Sequence, residues 1–363
     1  MSLSCGIVGL PNVGKSTLFS ALSSATAEVG NYPFCTIEPN SAVVEVPDDR
    51  LKQIEQYVPA GRLMPAVVQI VDIAGLVKGA SEGEGMGNQF LGNIKECQAI
   101  LHVVRCFGGD KVLREDPVDP KGDIEVIEME LALADLVTAQ RTVERSAKKA
   151  RLGEKELAID LAAYEKVVTL LEEGKQARSG NWTKRELEAL RPLCLMTLKP
   201  VLYIANVADD DPEGTSDYAK QVAEIAEGNG SEWLPICSDL ELELRSMDAD
   251  DRAMFMEELG WKELGLERLI HKAYDLLDLQ TYFTAGEIEI RAWTIHKGDT
   301  APVAAGVIHT DFTKNFIRAE VFSVTDLLDY GGESAVKAAG KLRTEGKDYL
   351  MQEGDICHFL LGK

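Results

Sequence analysis

Short apolar runs alternate with helical patterns along most of the chain. Residues 3–8 form an apolar run that predicts a buried strand, and a glycine-rich loop and a helical pattern follow it. Further short apolar runs, each bounded by turn or polar residues, lie at residues 66–75, 99–107, 200–206 and 232–238. This alternation predicts an α/β fold whose mostly parallel sheet carries helices on both faces.

Two other stretches have a different pattern. Residues 123–195 lack strand signals and have apolar residues at helical spacing, such as Val126, Met129, Leu133 and Val137. This spacing predicts a helical, coiled-coil-like insertion. From about residue 278 short β-like runs return, with one helical pattern near residues 334–342, which predicts a separate small α+β domain.

The net charge of the chain restricts how it can bind nucleic acid. Its 363 residues contain 38 Lys and Arg against 60 Asp and Glu, a formal net charge of -22. A uniformly basic nucleic-acid coat is therefore excluded, and any RNA contact must be local. No run of about 18 apolar residues predicts a membrane span, so no membrane partner is expected. Seven scattered cysteines and an N-terminus without a leader pattern favour a reducing cytoplasm.

The loop at residues 9–16, GLPNVGKS, matches the pattern GxxxxGK[ST] between a strand and a helix. In such a loop, backbone N–H groups and the helix N-terminus face phosphate oxygens. Lys15 would reach the β- and γ-phosphates, and the Ser16 hydroxyl would bind Mg2+. The alternative, a chance glycine-rich turn with a solvated lysine, does not require these flanking elements.

Asp72 ends the apolar run VVQIVD and begins a DxxG motif, residues 72–75. There it could hold the Mg2+ shell through water, while the Gly75 N–H could meet a γ-phosphate. Thr36 is a candidate for a switch threonine that completes Mg2+ coordination, or an ordinary loop threonine. Leu76 stands where Ras-like enzymes have the glutamine that orients the attacking water, so intrinsic hydrolysis should be slow or depend on another group.

A candidate base reader follows the apolar run at residues 200–206. Asn206, Val207 and Asp209 occupy the positions of NKxD, but valine replaces the lysine that would cover the base. Asp209 keeps an acceptor pair, yet two further aspartates follow it, so a surface acidic turn is the alternative interpretation. The base preference stays open at this point.

Residues 138–155 form a local basic patch. This stretch has six basic and two acidic residues, a local charge of +4. Arg141, Arg145 and Lys149 are four apart and would share one helical face. They could bind RNA phosphates or form a solvated face. The RNA-binding candidates are Arg141, Arg145, Lys148 and Lys149.

Five segments together resemble the YchF group of Obg-like P-loop ATPases. They are GLPNVGKSTLF, NYPFCTIEPN, DIAGLVKGAS, LYIANV and QTYFTAGEIEIRAWTIHKGDTAPVAAGVIHTDFTKNFIRAEV. The similarity runs over essentially the whole chain. It implies an Obg-type nucleotide-binding domain, a helical insertion and a C-terminal TGS domain of β-grasp type. The corresponding boundaries are 1–127 with 198–277, 128–197, and 278–363.

The resemblance also implies roles for individual residues. The phosphate-binding residues would be Asn12, Val13, Gly14, Lys15, Ser16 and Thr17. Ser16 and Thr36 would bind Mg2+, and Asn206 with Val207 would surround the base. Leu76 fits the subgroup with a hydrophobic residue in the glutamine's place.

Two departures from the family pattern stand out. Asp209 replaces the glutamate of the family's NxxE, which weakens the implied ATP preference. Arg114 lies near the place of a histidine proposed to assist hydrolysis. It would either stabilise transition-state charge or be a solvated loop residue.

The expected function is a cytoplasmic, Mg2+-dependent nucleoside triphosphatase that acts as a translation-related switch. Family members bind the ribosome and hydrolyse ATP slowly, so ATP or GTP, the large ribosomal subunit or the 70S ribosome, and ribosomal RNA are the expected partners. One alternative is a GTP-specific GTPase switch. Another is an RNA- or ribosome-binding module in which the nucleotide is a regulatory ligand, which Leu76 supports.

Overall fold

The computed structural model describes residues 4–24, 40–73, 86–108, 117–150 and 155–362. These residues form two compact units. The first comprises residues 4–24 and 40–42 and the described part of 69–266, and the second comprises residues 43–68 and 267–362.

The described strands are β1 (Ser4–Val8), β2 (Ser41–Glu45), β3 (Leu63–Met64), β4 (Val67–Asp72), β5 (Ala99–Cys106), β6 (Val201–Val207), β7 (Glu232–Ile236), β8 (Leu279–Ala285), β9 (Ile290–His296), β10 (Phe316–Ser323), β11 (Arg343–Glu345) and β12 (Asp355–Leu361). The described α-helices are α1 (Lys15–Ser23), α2 (Arg50–Glu55), α3 (Met86–Glu96), α4 (Pro120–Ala150), α5 (Lys155–Glu172), α6 (Lys184–Leu190), α7 (Asp217–Gly228), α8 (Ser238–Ser246), α9 (Ala249–Glu258), α10 (Gly265–Leu276), α11 (Ala301–Ile308), α12 (Thr310–Asn315), α13 (Val324–Tyr330) and α14 (Glu333–Ala338).

The first sheet has the strand order β2-β4-β1-β5-β6-β7. Its central pairs, from β4 to β7, are parallel, which confirms the predicted α/β fold. β1, β5 and β6 are buried along their whole length, as expected for strands covered on both faces. Because parallel strands end at the same edge, the carboxyl ends of β1, β4 and β6 lie together there.

The described secondary-structure elements between β5 and β6 are all helices, as the sequence pattern predicts. Alanines of α4 pack against Ala163, Tyr164 and Val167 of α5 in one buried cluster. Asp135 of α4 is fully buried, and its carboxylate accepts hydrogen bonds from Met196 N (3.1 Å), Thr197 N (2.7 Å) and Thr197 Oγ1 (2.7 Å). This carboxylate fastens the end of the helical segment to α4.

The second sheet has the strand order β11-β10-β12-β8-β9-β3. The pairs β8–β9 and β10–β12 are antiparallel, whereas β3 pairs with β9 in parallel. Residues 43–68 thus supply an edge strand and α2 to the second unit. Arg50 of α2 forms an ion pair with Glu353 at 2.6 Å. The sequence pattern did not indicate this exchange, since the pairing joins segments more than 220 residues apart.

No helix in the described part of the chain combines the length and the apolar character needed to cross a bilayer.

Candidate nucleotide-binding site

The loop between β1 and α1 has the backbone geometry of an anion cradle. Asn12 (φ 61°) and Gly14 (φ 94°) both adopt left-handed conformations. A Cβ at Gly14 would clash with Nδ2 of Asn206, so both the backbone conformation and the lack of space require glycine at this position. Gly14 is the N-cap of α1 and makes no side-chain capping bond. The N–H groups of the first turn of α1 therefore suit an anion.

Lys15 is held within this loop. Only 7% of the residue is exposed, and Nζ donates a hydrogen bond to the carbonyl of Leu10 at 2.7 Å. Burial lowers the pKa of Lys15 to about 8, while the charge of Asp72 opposes this shift. A phosphate beside the ammonium group would favour the charged form and raise the pKa again.

Asp72 ends β4, next to β1, where it lies opposite Ile7 in the strand register. Burial raises the pKa of its carboxyl group, and the charge of Lys15 opposes that change. Its Oδ1 is buried and has no hydrogen-bond partner among the described residues. A desolvated carboxylate oxygen without a donor fits a water of a Mg2+ shell, and the exposed Ser16 lies in the first turn of α1.

Asn206 links three segments at the end of the sheet. The side chain is 3% exposed, and its Nδ2 donates to the carbonyl of Val13 at 2.8 Å. Its Oδ1 accepts hydrogen bonds from Ser238 N (3.1 Å) and Ser238 Oγ (2.9 Å). Asn206 therefore holds the phosphate-binding loop against β6 and the start of α8.

Ser238 was missed by the sequence reasoning. The signal that could have found it is its position at the end of the apolar run 232–238, because the next parallel strand ends at the same edge as β6.

In the acidic turn after β6, Asp211 is hydrogen-bonded within the protein, whereas Asp209 is exposed. Burial acts to raise the pKa of Asp211, but hydrogen bonds from Ser216 and Thr215 outweigh it and lower the pKa to about 2. The Asp211 carboxylate accepts from Thr215 N at 2.7 Å and Ser216 N at 2.9 Å, so it fixes the turn. Val207 is buried, whereas Asp209 is exposed and thus accessible to a ligand.

Two family models match this chain. One, described as "50S ribosome-binding GTPase", matches residues 4–149. The other, for the C-terminal part of YchF GTPases and described as "Protein of unknown function (DUF933)", matches residues 279–361. The chain is 53% identical over 361 residues to the ribosome-binding ATPase YchF of Escherichia coli O157:H7, with 99% of each chain covered. The chain belongs to the YchF family.

The chain is also similar to other YchF proteins. The ribosome-binding ATPase YchF of Bacillus subtilis is 47% identical over 363 residues, and 99% of each chain is covered. The solved YchF GTPase of Schizosaccharomyces pombe is 38% identical, with a TM-score of 0.89 and coverage of 99% of this chain and 98% of that one. These names differ in the nucleotide, ATPase in the bacteria and GTPase in the yeast.

The remaining candidate site residues of this chain fall into two groups. Thr36, Gly75, Leu76 and Arg114 lie outside the described residues. Of the RNA-binding candidates, Arg141, Arg145 and Lys148 are exposed on α4, away from its buried cluster. Lys149 also belongs to α4, but its side chain lies outside the described part.

Proposed function

We propose that this protein is a ribosome-binding P-loop ATPase that hydrolyses ATP with Mg2+ and acts as a nucleotide-dependent switch in translation. The observation that carries the proposal is the buried Lys15 in a loop that Asn206 fastens to the sheet. This arrangement supplies a positive charge and open helix N–H groups for a triphosphate. Full-length similarity to relatives named ribosome-binding ATPase supports ATP as the nucleotide and the ribosome as the partner.

In this proposal the phosphates contact the backbone of residues 12–17, and Lys15 stabilises charge on the transferring group. Ser16, Thr36 and, through water, Asp72 would hold Mg2+, which would supply positive charge to neutralise the phosphate oxygens. The N–H of Gly75 would meet the γ-phosphate. Leu76 makes intrinsic hydrolysis slow, and Arg114 is the candidate for a compensating group. The functional domains are proposed to follow the boundaries given above, with residues 43–68 contributed to the C-terminal unit.

The base is proposed to be adenine in preference to guanine. Val207 cannot supply the lysine stem of a guanine reader, which favours ATP. Asp209 is exposed and could still accept hydrogen bonds from guanine, which favours the GTP-specific alternative. The ratio of ATP to GTP affinity in the wild type and in Asp209→Glu tests this. A wild-type ratio in favour of GTP would support the alternative.

The proposed partner is the large ribosomal subunit or the whole ribosome, in the cytoplasm. Arg141, Arg145, Lys148 and Lys149 would contact ribosomal RNA phosphates. Their positive charge lies within a chain of net charge -22, so RNA should be attracted to this patch and repelled elsewhere.

Titration of labelled ATP against the wild type and Lys15→Ala tests the site, and equal affinity for both would overturn it. Single-turnover hydrolysis with and without ribosomes tests the switch. Acceleration by ribosomes supports it. Ribosome binding without any acceleration would instead favour the binding module with a regulatory nucleotide.

A further inference from the structure

A buried arginine near the carboxyl end of β5 has no counter-ion among the described residues. Arg105 is only 4% exposed, and its Nε donates a hydrogen bond to the carbonyl of Phe107 at 3.0 Å. Its Nη1 is also buried but has no hydrogen-bond partner, and no carboxylate in the described part of the chain forms an ion pair with it. A buried charge of this kind is costly unless a partner meets it. The guanidinium group therefore suits a ligand from outside the chain.

The strand register shows which face of the sheet Arg105 occupies. Arg105 pairs with Asn206 of β6. Three residues earlier, His102 pairs with Tyr203, and because side chains alternate between the faces of a sheet, the two pairs lie on opposite faces. Tyr203 lies on the face covered by α4, where its hydroxyl donates to Glu128. Arg105 therefore lies on the other face, together with Asn206 and the phosphate-binding loop.

The phosphate-binding loop crosses the end of β5. This strand lies between β1 and β6 in the sheet. The loop leaves β1, yet the carbonyl of its Val13 accepts a hydrogen bond from Asn206 on β6. At the start of the crossing the two backbones are so close that a Cβ at Gly9 would clash with the carbonyl of Val103 on β5. Arg105 is two residues further along β5, at the edge of the sheet where a nucleotide would bind.

The neighbours of Arg105 indicate which part of a nucleotide it would meet. Lys15 and the N–H groups at the start of α1 are available to the phosphates. On the base side, Val207 stands where an NKxD reader has the lysine whose stem covers the base. Arg105 lies beside Asn206, the first residue of that pattern, and supplies a cation from the neighbouring strand. A guanidinium group is planar, so it can stack on a base and also donate a hydrogen bond.

We propose that Arg105 binds the nucleoside part of the nucleotide in place of the missing lysine, with its guanidinium plane against the base. The inference rests on the proposed function for the identity of the ligand as a nucleotide. Every base has a π-face, so this contact strengthens the binding of ATP and GTP alike. The role differs from that of Asp209, which would affect the choice between the two bases.

Calorimetric titration of the full chain separates base binding from phosphate binding. The ligands are ATP, GTP and inorganic tripolyphosphate, each with Mg2+. Arg105→Met should bind ATP and GTP about tenfold more weakly than the wild type does, and tripolyphosphate equally well. Equal ATP affinity of the two proteins would overturn the proposal. A similar loss for tripolyphosphate would also overturn it, since Arg105 would then act on the phosphates or on the loop.

Two further variants test whether the effect belongs to the cation at this position. Arg105→Lys keeps the charge and should recover part of the ATP affinity that Arg105→Met loses. Arg252→Met is the matched control, because Arg252 is a half-buried arginine on α9 that donates to the carbonyl of Met247 at 3.2 Å. This control should bind all three ligands as the wild type does. A loss in Arg252→Met equal to that in Arg105→Met would contradict the assignment.

Nuclear magnetic resonance of the wild type gives a test that does not depend on how Arg105→Met folds. Isotope-labelled arginine reports the Nε–H of Arg105, which its hydrogen bond to Phe107 protects from exchange, and Arg105→Lys identifies the signal by its absence. ATP should shift this signal upfield through the ring current of the base, whereas tripolyphosphate should not. An unchanged signal at saturating ATP would overturn this inference alone. A wild type that binds neither ATP nor GTP would overturn the proposed function together with it.

Discussion

The side-chain amide of Asn206 donates a hydrogen bond to the carbonyl of Val13, 2.8 Å away, while its oxygen accepts two bonds from Ser238. The residue in the position of a base reader therefore has its oxygen and one N–H engaged with the protein. Its contribution to nucleotide binding acts through the shape of the phosphate-binding loop. Positioning of this kind affects any nucleotide with the same phosphates.

Asn206→Ala should weaken ATP and GTP binding by similar factors, about tenfold, because the loop loses one buried hydrogen bond and Ser238 loses its acceptor. Ser238→Ala should have a smaller effect, since the backbone N–H still reaches Asn206. Fluorescent-nucleotide titration of both variants checks this. A large change in the ATP to GTP ratio in Asn206→Ala would show that its side chain reads the base directly.

Lys15 predicts how nucleotide affinity depends on pH. The free protein has a Lys15 pKa of about 8, and bound phosphates raise it, so binding takes up a proton above that pH. The affinity should therefore fall as the pH rises from 8 towards the higher pKa of the complex. Titrations with a nucleoside diphosphate between about pH 7.5 and 9.5 measure the slope of affinity against pH, since the phosphates of the nucleotide are then fully ionised. Lys15→Met should bind weakly with little slope, and a slope equal to that of the wild type would exclude Lys15 as its source.

Asp72→Asn should raise the Mg2+ concentration needed for half-maximal hydrolysis by about tenfold, because a neutral amide orients the metal's water shell less strongly. A magnesium titration at saturating nucleotide measures it. Asp217→Asn is a suitable control, since the Asp217 side chain is 97% exposed and begins a different helix. Identical magnesium curves for the wild type and Asp72→Asn would remove Asp72 from the metal site.

Asp135→Ala should lower the free energy of unfolding by roughly 3 kcal/mol, because three buried donors on Met196 and Thr197 lose their acceptor. Thr197→Val removes only the hydroxyl donor and should cost about 1 kcal/mol. Urea unfolding of the full-length variants, followed by a probe in the helical segment, compares the two. A loss for Asp135→Ala no greater than that for Thr197→Val would contradict the central role of this carboxylate.

Local sequence signals predicted the parallel sheet and the phosphate-binding loop. The phosphate-binding loop is recognised from consecutive residues, 9–16, so its pattern can be identified without tertiary structure. Ser238 escaped detection because its partner lies 32 residues earlier and meets it only when β6 and β7 are aligned.

The periodicity of α4 was a partial guide. Met129, Leu133 and Val137 correctly indicated a helix, but they lie on its exposed face. Spacing reports which residues share a side and not which side the core covers. The buried face of α4 relies instead on small alanines, whose contribution depends on the close approach of α5.

Residues 43–68 belong to the second unit although the residues on either side of them belong to the first. This limits where the chain can be cut into separately folding pieces. The chain enters the second unit between the phosphate-binding loop and Asp72, and it returns before Asp72 is reached. A cut near residue 278 would therefore not release an intact C-terminal fold. The excised piece would lack β3 beside β9 and the Arg50 partner of Glu353. Swapping C-terminal parts among relatives should therefore succeed only when residues 43–68 are transplanted with them.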